Sequence, residues 1–583
     1  MDGFDYFSIP STITQKHYEA LRAFYYEKMS AQEVASRFGY QLSAFYSLAH
    51  DFRVFLKNKE SREDLFFLEK SPGRKEKASV DEITRTITEL RKHYLSVPEI
   101  KTILDSKGCE ISEKSIYLVL KKEGFARLPR RSQQEKMTRR VQDKITAPES
   151  TELTFQEERF SSESAIGILC FLPYLRRYEI DKIIQASSYP ETKTINRLSS
   201  ILSFQALKLS NAGRYSEDDI WCMDRGLGLF AGLNVLPKTG WFSSYSSRIT
   251  RRTNSAFLRN LHTVWTRNGL LSDSMNLDFS SIPYWGDDSH LENNWSGKRN
   301  KALASILAVV AQDPDSGILD YSDANPRHAA QPQVVLEFLD FYRSGASKKD
   351  DLKYLVFDSK FTPYKNLNEL NRRGVKFITI RRRGKQIVDQ LEKVEKSQWK
   401  TIRVMGADGK GRLLNTYEEK VRIKDYDPPI RQLAISGHGK IKPALIITND
   451  DEISREDLVH KYCRRWLVEK VISEQIEFFH LNRVSSSMVI KVDFDLTMTV
   501  LAHNLYRLMA MNLDGYSHNT SKSLFEKFLL NGGEIEIASD CIWVKMKKKR
   551  NLPALLSEME KYNELVYPWM AEKKLRFVGA SST

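Results

Sequence analysis

The sequence predicts a multidomain α/β protein, in which helical modules come first and a mixed sheet with helices follows. The chain has 583 residues, and a single hydrophobic core stops growing at about 250–300 residues, so several domains are expected. Up to residue 270 the apolar residues recur mainly at helical spacing, whereas from Met275 onward short apolar runs alternate with helical segments. Such alternation favours an α/β architecture in the second part of the chain.

Composition indicates a basic, folded protein with an anionic partner. The net charge is +15, with 41% hydrophobic and 28% charged residues, a balance that suits a globular chain. The positive charge favours nucleic acid as the partner, with an ordinary basic enzyme as the alternative. The five cysteines form no CxxC pair and no cluster with histidines at zinc-ligand spacing, so we expect reduced thiols.

Two features bear on localisation. The first residues, Met1 to Asp5, carry acids where a signal peptide has a basic region. The longest apolar-rich stretch, 302–311, is well short of the ~20 residues that a membrane-spanning helix needs. We therefore expect a cytoplasmic, nucleoid-associated protein with no membrane partner.

The N-terminal region carries the pattern of a helix-turn-helix unit. Ser30 to Glu33 forms a capping box, Gly39 ends the helix that follows, and a second helix covers about Ser43 to Phe52. Two helices joined by a short turn with glycine are typical of a unit whose second helix enters the major groove of DNA. Simple packing of a helical hairpin is the alternative.

A second unit of the same kind follows a Ser/Pro/Gly/Lys-rich linker at 71–77. Ser96 to Glu99 is again a capping box, and glycines follow both helices. A basic arm comes next, with Arg127, Arg130 and Arg131. This arm makes DNA the favoured partner of the second unit, although the packing alternative applies here too.

The second half reads as a strand-and-helix core with an interruption. The predicted elements are strands at 275–282, 302–311 and 318–321, a helix at 333–342, a strand at 354–357, a helix at 364–373 and a strand at 376–380. This is the element order of an RNase H-like core, in which the first and fourth strands lie side by side. Four more strands are predicted within 384–449, before a helix over 457–480.

Three acidic residues sit in elements that could bring them together. Asp278 lies inside the first strand, Asp358 ends the fourth, and Glu469 lies on the long helix. Tyr462 and Arg465 share the face of Glu469 because their spacing is i, i+3, i+7. Carboxylates held in this way can bind two hard cations, which suit in-line attack on a phosphodiester. The alternative for the helix is a surface Arg–Glu pair.

Each aspartate has rivals nearby. Asp287, Asp288 and Glu292 lie just past the first strand, but Asp278 is inside it, where a catalytic carboxylate is held rigidly. Asp350 and Asp351 precede the strand that ends at Asp358 and read as a cap or a solvated pair.

The acidic set and the helix motif resemble the catalytic core of DDE transposases of the IS4-like superfamily. Tyr462, Arg465 and Glu469 match three positions of its Y-x2-R-x3-E-x6-K signature. The fourth position departs from the signature, since Ile476 stands where the family has lysine and Lys470 lies on another face. The strands of 384–449 resemble the family's β-strand insertion, and the two helix-turn-helix units resemble transposase end-binding modules.

The resemblance implies a mechanism. Asp278, Asp358 and Glu469 would bind two Mg²⁺ or Mn²⁺ ions, one activating water to cut at the transposon end and the other stabilising the leaving oxygen. The freed 3′-OH would then attack target DNA. Tyr462 and Arg465 would hold the end phosphates, the helix-turn-helix units would read the terminal inverted repeats, and a homodimer would pair two ends.

Some residues remain open in role. Arg381, Arg382 and Arg383 follow the strand after Asp358 and are candidates for DNA contact. Trp399 lies in the predicted insertion, where the resemblance implies a place for an aromatic residue that receives a flipped base, with a core role as the alternative. Two rival functions also stay open, a related metal-dependent nuclease and a DNA-binding protein without catalysis.

These interpretations divide the chain into segments. The predicted boundaries are 1–70 and 78–131 for the two helix-turn-helix modules, the second with its basic arm, 132–159 for a linker, 160–270 for a helical domain, 271–383 and 450–515 for the two parts of the core, 384–449 for the β-rich insertion, and 516–583 for a C-terminal region.

Overall fold

The fold is described from a computed structural model. It describes residues 12–57, 66, 78–92, 95–106, 109, 111–126, 128, 155–163, 166–192, 194–213, 221–284, 291–296, 301–324, 333–345, 352–358, 363–382, 384–405, 411–439, 443–481 and 489–580. Within these ranges, no helix has both the length and the apolar character needed to cross a membrane. The chain divides into two compact units, 1–83 and 84–583.

The first unit contains three helices, α1 (Ile13–Tyr25), α2 (Ala31–Phe38) and α3 (Leu42–Lys57). The predicted capping box is present, because Ser30 and Glu33 bond each other's backbone N–H groups. Gly39 ends α2 with a φ of 64°, a left-handed conformation that glycine adopts without strain. Ala20, Val34 and Phe45 are buried between the helices, so apolar packing fixes the turn between α2 and α3.

Three more helices follow, α4 (Ala78–Lys92), α5 (Val97–Ser106) and α6 (Glu113–Lys122). Ser112 caps α6 by accepting a hydrogen bond from the backbone of Ser115. Arg91, at the end of α4, donates to the carbonyls of Leu95 and Ala126 (2.9 and 3.1 Å) and so ties the segment after α6 to α4. The predicted second helical unit is therefore present as three helices.

A short strand and a helical region come next. The strand is β1 (Glu158–Ser162), and a 3₁₀ segment at Ile166–Phe171 leads into the helices. The helices are α7 (Leu172–Arg177), α8 (Ile180–Ala186), α9 (Arg197–Leu209), α10 (Arg225–Phe230), α11 (Thr239–Ser246) and α12 (Arg251–Arg267). Their apolar faces join one large core that also contains strand residues such as Leu277 and Phe357. The helical region thus forms part of the body that supports the sheet.

The core strands match the predicted elements closely. They are β2 (Ser274–Pro283), β3 (Asn293–Ser296), β4 (Lys301–Gln312), β5 (Leu319–Asp323), β6 (Tyr354–Phe357) and β7 (Lys376–Ile380), with α13 (Val334–Gly345) and α14 (Tyr364–Arg372) as connections. β4 pairs antiparallel with both β2 and β5, whereas β2, β6 and β7 are parallel. The predicted neighbourhood of the first and fourth predicted strands is confirmed by the β2–β6 pairing. Strand β3 was not predicted.

The strand-rich region continues the same sheet. It contains α15 (Lys385–Glu392), β8 (Lys400–Met405), β9 (Gly411–Val421), β10 (Ile430–Ser436) and β11 (Ala444–Thr448). β11 pairs antiparallel with β7, so these strands extend the core sheet to ten strands with β8 at one edge. All four strands were predicted, but α15 and the continuity of the sheet were not, because pairing partners far apart in sequence leave no local signal.

The helix that carries Glu469 departs from the prediction. One helix over 457–480 was expected, but there are two, α16 (Arg455–Arg464) and α17 (Trp466–Glu477), which meet at Arg465. The N–H of Arg465 bonds to the carbonyl of Tyr462 at 3.1 Å, three residues back instead of four, so the turn is tightened there. The single-helix prediction is wrong at this residue. A long buried helix follows, α18 (Val489–Asn512).

The C-terminal region forms a second sheet. Its elements are α19 (Ser521–Leu524), β12 (Gly533–Ile537), β13 (Cys541–Met546), α20 (Leu552–Glu560), β14 (Val566–Tyr567) and β15 (Lys573–Gly579). The strand order is β1-β12-β13-β15-β14, so a strand from residue 158 onward completes a sheet made mostly after residue 530. The sequence had left this region unassigned.

Candidate active site

Two parallel strands carry the two aspartates to one place. The β2–β6 register pairs Leu277 with Phe357, so Asp278 and Asp358 come next to each other at the following position. Parallel neighbours lie ≈ 4.8 Å apart and partners in register point to the same face. One strand pairing therefore brings together two aspartates whose positions differ by 80 in the sequence.

Asp278 lies in a largely buried position, with 8% of its surface exposed. One of its carboxylate oxygens accepts a hydrogen bond from the N–H of Phe279 at 2.8 Å. Burial raises the pKa of Asp278 to about 6, and the carboxylates of Glu469 and Asp358 raise it further, whereas Arg465 and the Phe279 N–H oppose the rise. Both acids therefore contribute to the electrostatic environment of Asp278.

Glu469 reaches the site from α17. Val468 and Ile472 are buried on one side of this helix, which packs across β2 and β4. The side chain of Glu469 is 45% exposed. The Glu469 carboxylate is therefore accessible to solvent, whereas the Asp278 carboxylate is largely buried.

Arg465 joins two of these acids. Its Nη1 lies 2.6 Å from Asp278 Oδ2, and its Nη2 lies 2.9 Å from Glu469 Oε1. The Arg465 side chain is 13% exposed. Burial alone would lower the pKa of Arg465, but the two carboxylates raise it above its usual value. The guanidinium is the cation between these acids.

Tyr462 lies beside this cluster. Its ring centre is 5.7 Å from the Arg465 guanidinium carbon, within cation–π range. Burial raises the pKa of Tyr462 to about 12, and the carboxylates of Asp358 and Asp278 contribute to the rise. The structure therefore brings together all five residues predicted from the strand ends and the helix motif: Asp278, Asp358, Tyr462, Arg465 and Glu469.

Residues that the sequence did not single out fix the junction at Arg465. Asn276, two positions before Asp278 on β2, donates to the carbonyl of Arg464 at 3.0 Å. The Arg464 side chain binds Asp315 (2.6 Å) and the carbonyl of Pro314, in the turn between β4 and β5. Strand alternation could have marked Asn276, because it shares a strand face with Asp278.

The departure from the lysine signature has a packing explanation. Ile476 is partly buried and packs against the large core, so this position serves the interior. Lys470 lies over the Trp466 ring, with 4.5 Å from Nζ to the ring centre, and Trp466 is 53% exposed. An exposed tryptophan beside the acids is a feature that sequence reasoning missed, although its place next to Arg465 was visible.

Of the rival acids, Asp287, Asp288, Asp350 and Asp351 lie outside the described residues. Glu292 lies just before β3, and its backbone carbonyl accepts a hydrogen bond from the N–H of Ser305 on β4.

The predicted DNA-contact arginines are only partly described. Arg381 follows β7 and donates to Gln432 Oε1 on β10 at 2.6 Å. Its side chain is therefore bonded to strands β8 to β11, which extend the core sheet and are called the added strands below. Arg382 is exposed. Arg127, Arg130, Arg131 and Arg383 lie outside the described residues.

The donor set suits a hard divalent cation, since Mg²⁺ and Mn²⁺ prefer carboxylate oxygens. In the part of the chain that the structure describes, no three His, Cys, Asp or Glu side chains are arranged to share a metal ion. Arg465 bonds one oxygen of Asp278 and one oxygen of Glu469. The carboxylates of Asp278, Asp358 and Glu469 are the residues that would hold such an ion, and their chemistry fits it.

Three carboxylates, two on a parallel strand pair and one on a crossing helix, are the kind of residues that a metal-dependent phosphodiester site would need. Residues 273–505 match the family model of the transposase DDE domain. This part of the chain is therefore a transposase DDE domain, and the protein is an enzyme that acts on phosphodiester bonds. Enzymes of this family generally use divalent metal ions.

Other comparisons add little. A cryo-EM structure of the piggyBac transposase synaptic complex with hairpin DNA (SNHP) matches 70% of this chain and 84% of that chain, with 12% identity and a TM-score of 0.37. No curated protein matches the sequence.

Proposed function

We propose that this transposase binds the terminal inverted repeats of its own element and carries out cut-and-paste transposition at Asp278, Asp358 and Glu469. The observation that carries the proposal is the meeting of these acids with Arg465, which bonds two of them. The order β5-β4-β2-β6-β7, with β2, β6 and β7 parallel, supports an RNase H-like core. The Tyr462, Arg465 and Glu469 spacing supports an IS4-like relationship.

The cofactor in this proposal is a pair of Mg²⁺ or Mn²⁺ ions held by the three carboxylates. Bound there, the ions would supply an activated water and stabilise the leaving oxygen. Asp278 and Asp358 give the site a rigid base because they sit on paired strands. Glu469, half exposed on α17, completes the set from the solvent side.

The DNA is held by cationic and aromatic side chains around the acids. Arg465 and Tyr462 lie against the cluster and can bind an end phosphate, Arg through its planar fork. Trp466 and Lys470 form an exposed pair on the next turn of the helix. Aromatic faces stack on bases and ammonium groups bind phosphates, so this helix offers both contacts that a DNA end needs.

The end-binding modules in this proposal are α1 to α3 and α4 to α6. On α3 the first two turns expose Ser43, Tyr46 and Ser47, and His50 is exposed one turn later. These are hydrogen-bonding side chains on one helical face, the type that reads base edges in the major groove. A homodimer that pairs two ends is part of the same proposal.

The test is cleavage of a labelled duplex that carries the element's terminal repeat, with Mn²⁺. Wild type, Glu469→Gln and Glu477→Gln are compared, since Glu477 is an exposed acid two turns further along α17. We expect nicking at the repeat boundary by wild type and Glu477→Gln, and none by Glu469→Gln.

Other outcomes separate the rival functions. Binding without cleavage by any variant would point to a DNA-binding protein without catalysis. Cleavage without joining to a target duplex would point to a nuclease. Cleavage by Glu469→Gln at the wild-type rate would mean that the acidic site lies elsewhere.

A further inference from the structure

The guanidinium of Arg465 and a divalent cation require the same oxygen atoms. Arg465 gives one nitrogen to Asp278 Oδ2 and the other to Glu469 Oε1. It therefore bridges two carboxylates from different elements, where a metal ion would also bridge them. Like charges this close repel strongly in a half-buried site, so both cations cannot hold these oxygens together.

The backbone at Arg465 is not free to withdraw. The carbonyl of Arg464 accepts from Asn276, and the Arg464 side chain is bonded to the turn between β4 and β5. The two anchors hold the α16–α17 junction against β2 and against the turn between β4 and β5. Any exchange of cations must therefore happen by rotation of the Arg465 side chain.

The exposed side of the cluster is where such a rotation would lead. Asp278 is nearly buried, whereas the Glu469 carboxylate is half exposed, and Trp466 and Lys470 lie exposed on the same helix. An anion arriving on this side would offer the guanidinium a new partner. A phosphate of DNA has the charge and the paired oxygens that suit an arginine fork.

We propose that Arg465 is an internal counter-ion that holds the metal position in the DNA-free enzyme, and that a DNA phosphate draws it away from Asp278 and Glu469. DNA and the divalent cation then bind with positive coupling, each raising the affinity for the other. The enzyme would load metal chiefly when DNA is in place. This inference rests on the proposed function, because it assumes that these carboxylates bind the cation. Arg465 acts here as a positioning residue for the metal ligands.

The test measures Mn²⁺ binding to the full chain by the electron paramagnetic resonance signal of free Mn²⁺. Wild type is compared with Arg465→Gln and with Lys420→Gln, which removes an exposed cation on β9. We expect Arg465→Gln to bind Mn²⁺ roughly tenfold tighter than wild type, in the range of ordinary coupling factors. Lys420→Gln should stay within about twofold, as expected for a screened surface charge.

The second arm adds a mixed-sequence 40-base-pair duplex at low salt. Wild type should then bind Mn²⁺ more tightly, whereas Arg465→Gln should gain little. Equal Mn²⁺ affinity of Arg465→Gln and wild type would overturn the proposal, and so would an equal gain in Arg465→Gln and Lys420→Gln. An equal response of wild type and Arg465→Gln to the duplex would overturn the coupling.

Two further variants keep the result interpretable. Arg465→Lys retains the charge but cannot bridge both acids with a planar fork, so it should bind Mn²⁺ with intermediate affinity even if Arg465→Gln fails to fold. Asp358→Asn should lose Mn²⁺ binding. If Asp358→Asn abolishes Mn²⁺ binding and the Arg465 variants leave it unchanged, the counter-ion proposal is wrong and the proposed function stands. No Mn²⁺ binding and no cleavage by wild type would defeat both.

Discussion

The ten-stranded sheet has two halves that differ in chemistry although one hydrogen-bonded ladder joins them. Strands β2, β6 and β7 are parallel, and Asp358, which follows the end of β6, lies beside Asp278, which is inside β2. Strands β8 to β11 are antiparallel, so their ends alternate between the two edges. Parallel pairing concentrates side chains from distant parts of the sequence, and antiparallel pairing disperses them. This difference explains why the acids cluster in one half only.

The largest effect is expected on DNA cleavage, and it should distinguish an acid of the parallel strands from an acid of the antiparallel strands. Asp278→Asn should reduce cleavage by about a thousandfold or more, because it removes a rigid ligand of the reacting centre. Asp451→Asn is the matched change in the other half, since Asp451 follows β11, which runs opposite to β7, and forms a surface pair with Lys420 at 2.7 Å. Single-turnover rates should show Asp451→Asn within about twofold of wild type, as exposed pairs contribute little.

Comparable losses in the two variants would contradict the comparison. They would mean that the acids of the antiparallel half also reach the reacting DNA. Circular dichroism of both proteins controls for folding, and Mn²⁺ binding should be lost only in Asp278→Asn.

The next effect concerns stability in the antiparallel half. Arg431 on β10 is almost fully buried, binds Glu418 through two nitrogens (3.0 and 3.2 Å), and donates to the carbonyls of Asp450 and Ile453 just before α16. Arg431→Met would leave Glu418 with Arg455 as its cationic partner and would remove the donor to two carbonyls, so we expect a loss of about 1–3 kcal/mol in unfolding free energy. Denaturant titration measures it.

Arg431→Lys controls for charge. The lysine keeps the positive charge but cannot make the four hydrogen bonds of the guanidinium. The stability of the Arg431→Lys protein should therefore lie between those of wild type and Arg431→Met. An Arg431→Met protein as stable as wild type would show that the added strands do not brace the start of α16 through this side chain.

The sequence predicted local elements well and long-range pairing only where a pattern carried it. Asp278, Asp358 and Glu469 were found from apolar strands and helical spacing, which are local signals. The tightened turn at Arg465 was missed because the helical pattern runs through it unchanged. The pairing of β1 with β12, more than 370 residues apart in sequence, was missed because the sequence of a strand does not identify its pairing partner. The Asn276 bond to Arg464 depends on such pairing and could not be read either.

Two tryptophans give a smaller effect that sharpens the comparison. Trp399, before β8, packs against Tyr417 in a small core of the added strands, whereas Trp466 on α17 is half exposed. The core alternative for Trp399 is therefore supported. Trp466→Ala should weaken binding of a fluorescent DNA duplex end by about 1–3 kcal/mol, the value of one base–aromatic stack. Trp399→Ala should lower the melting temperature and leave DNA affinity nearly unchanged. The reverse pattern would assign the DNA contact to the antiparallel half.

The smallest effect is a pH dependence at a buried histidine. His503 on α18 is buried and lies 3.1 Å from the carbonyl of Gly317, before β5. Burial lowers the pKa of His503 below 6.5. In mild acid this histidine therefore binds a proton more readily in the unfolded chain than in the folded chain. Its stabilising contribution is present above pH 6.5 and is lost as pH falls, at up to about 1.4 kcal/mol per pH unit.

His503→Gln, which keeps a donor for Gly317, should flatten the fall in melting temperature between pH 6.5 and 5. Asp278 works in the opposite direction, because burial raises its pKa to about 6 and its ionised form is the less stable one in the fold. Both proteins contain Asp278, so the difference between them reports the histidine alone. Parallel curves for the two proteins would show that His503 is protonated in the folded state, paired with Glu474, whose Oε2 lies 3.6 Å from its Nδ1. In that case an ion pair would join α18 to α17 at this histidine.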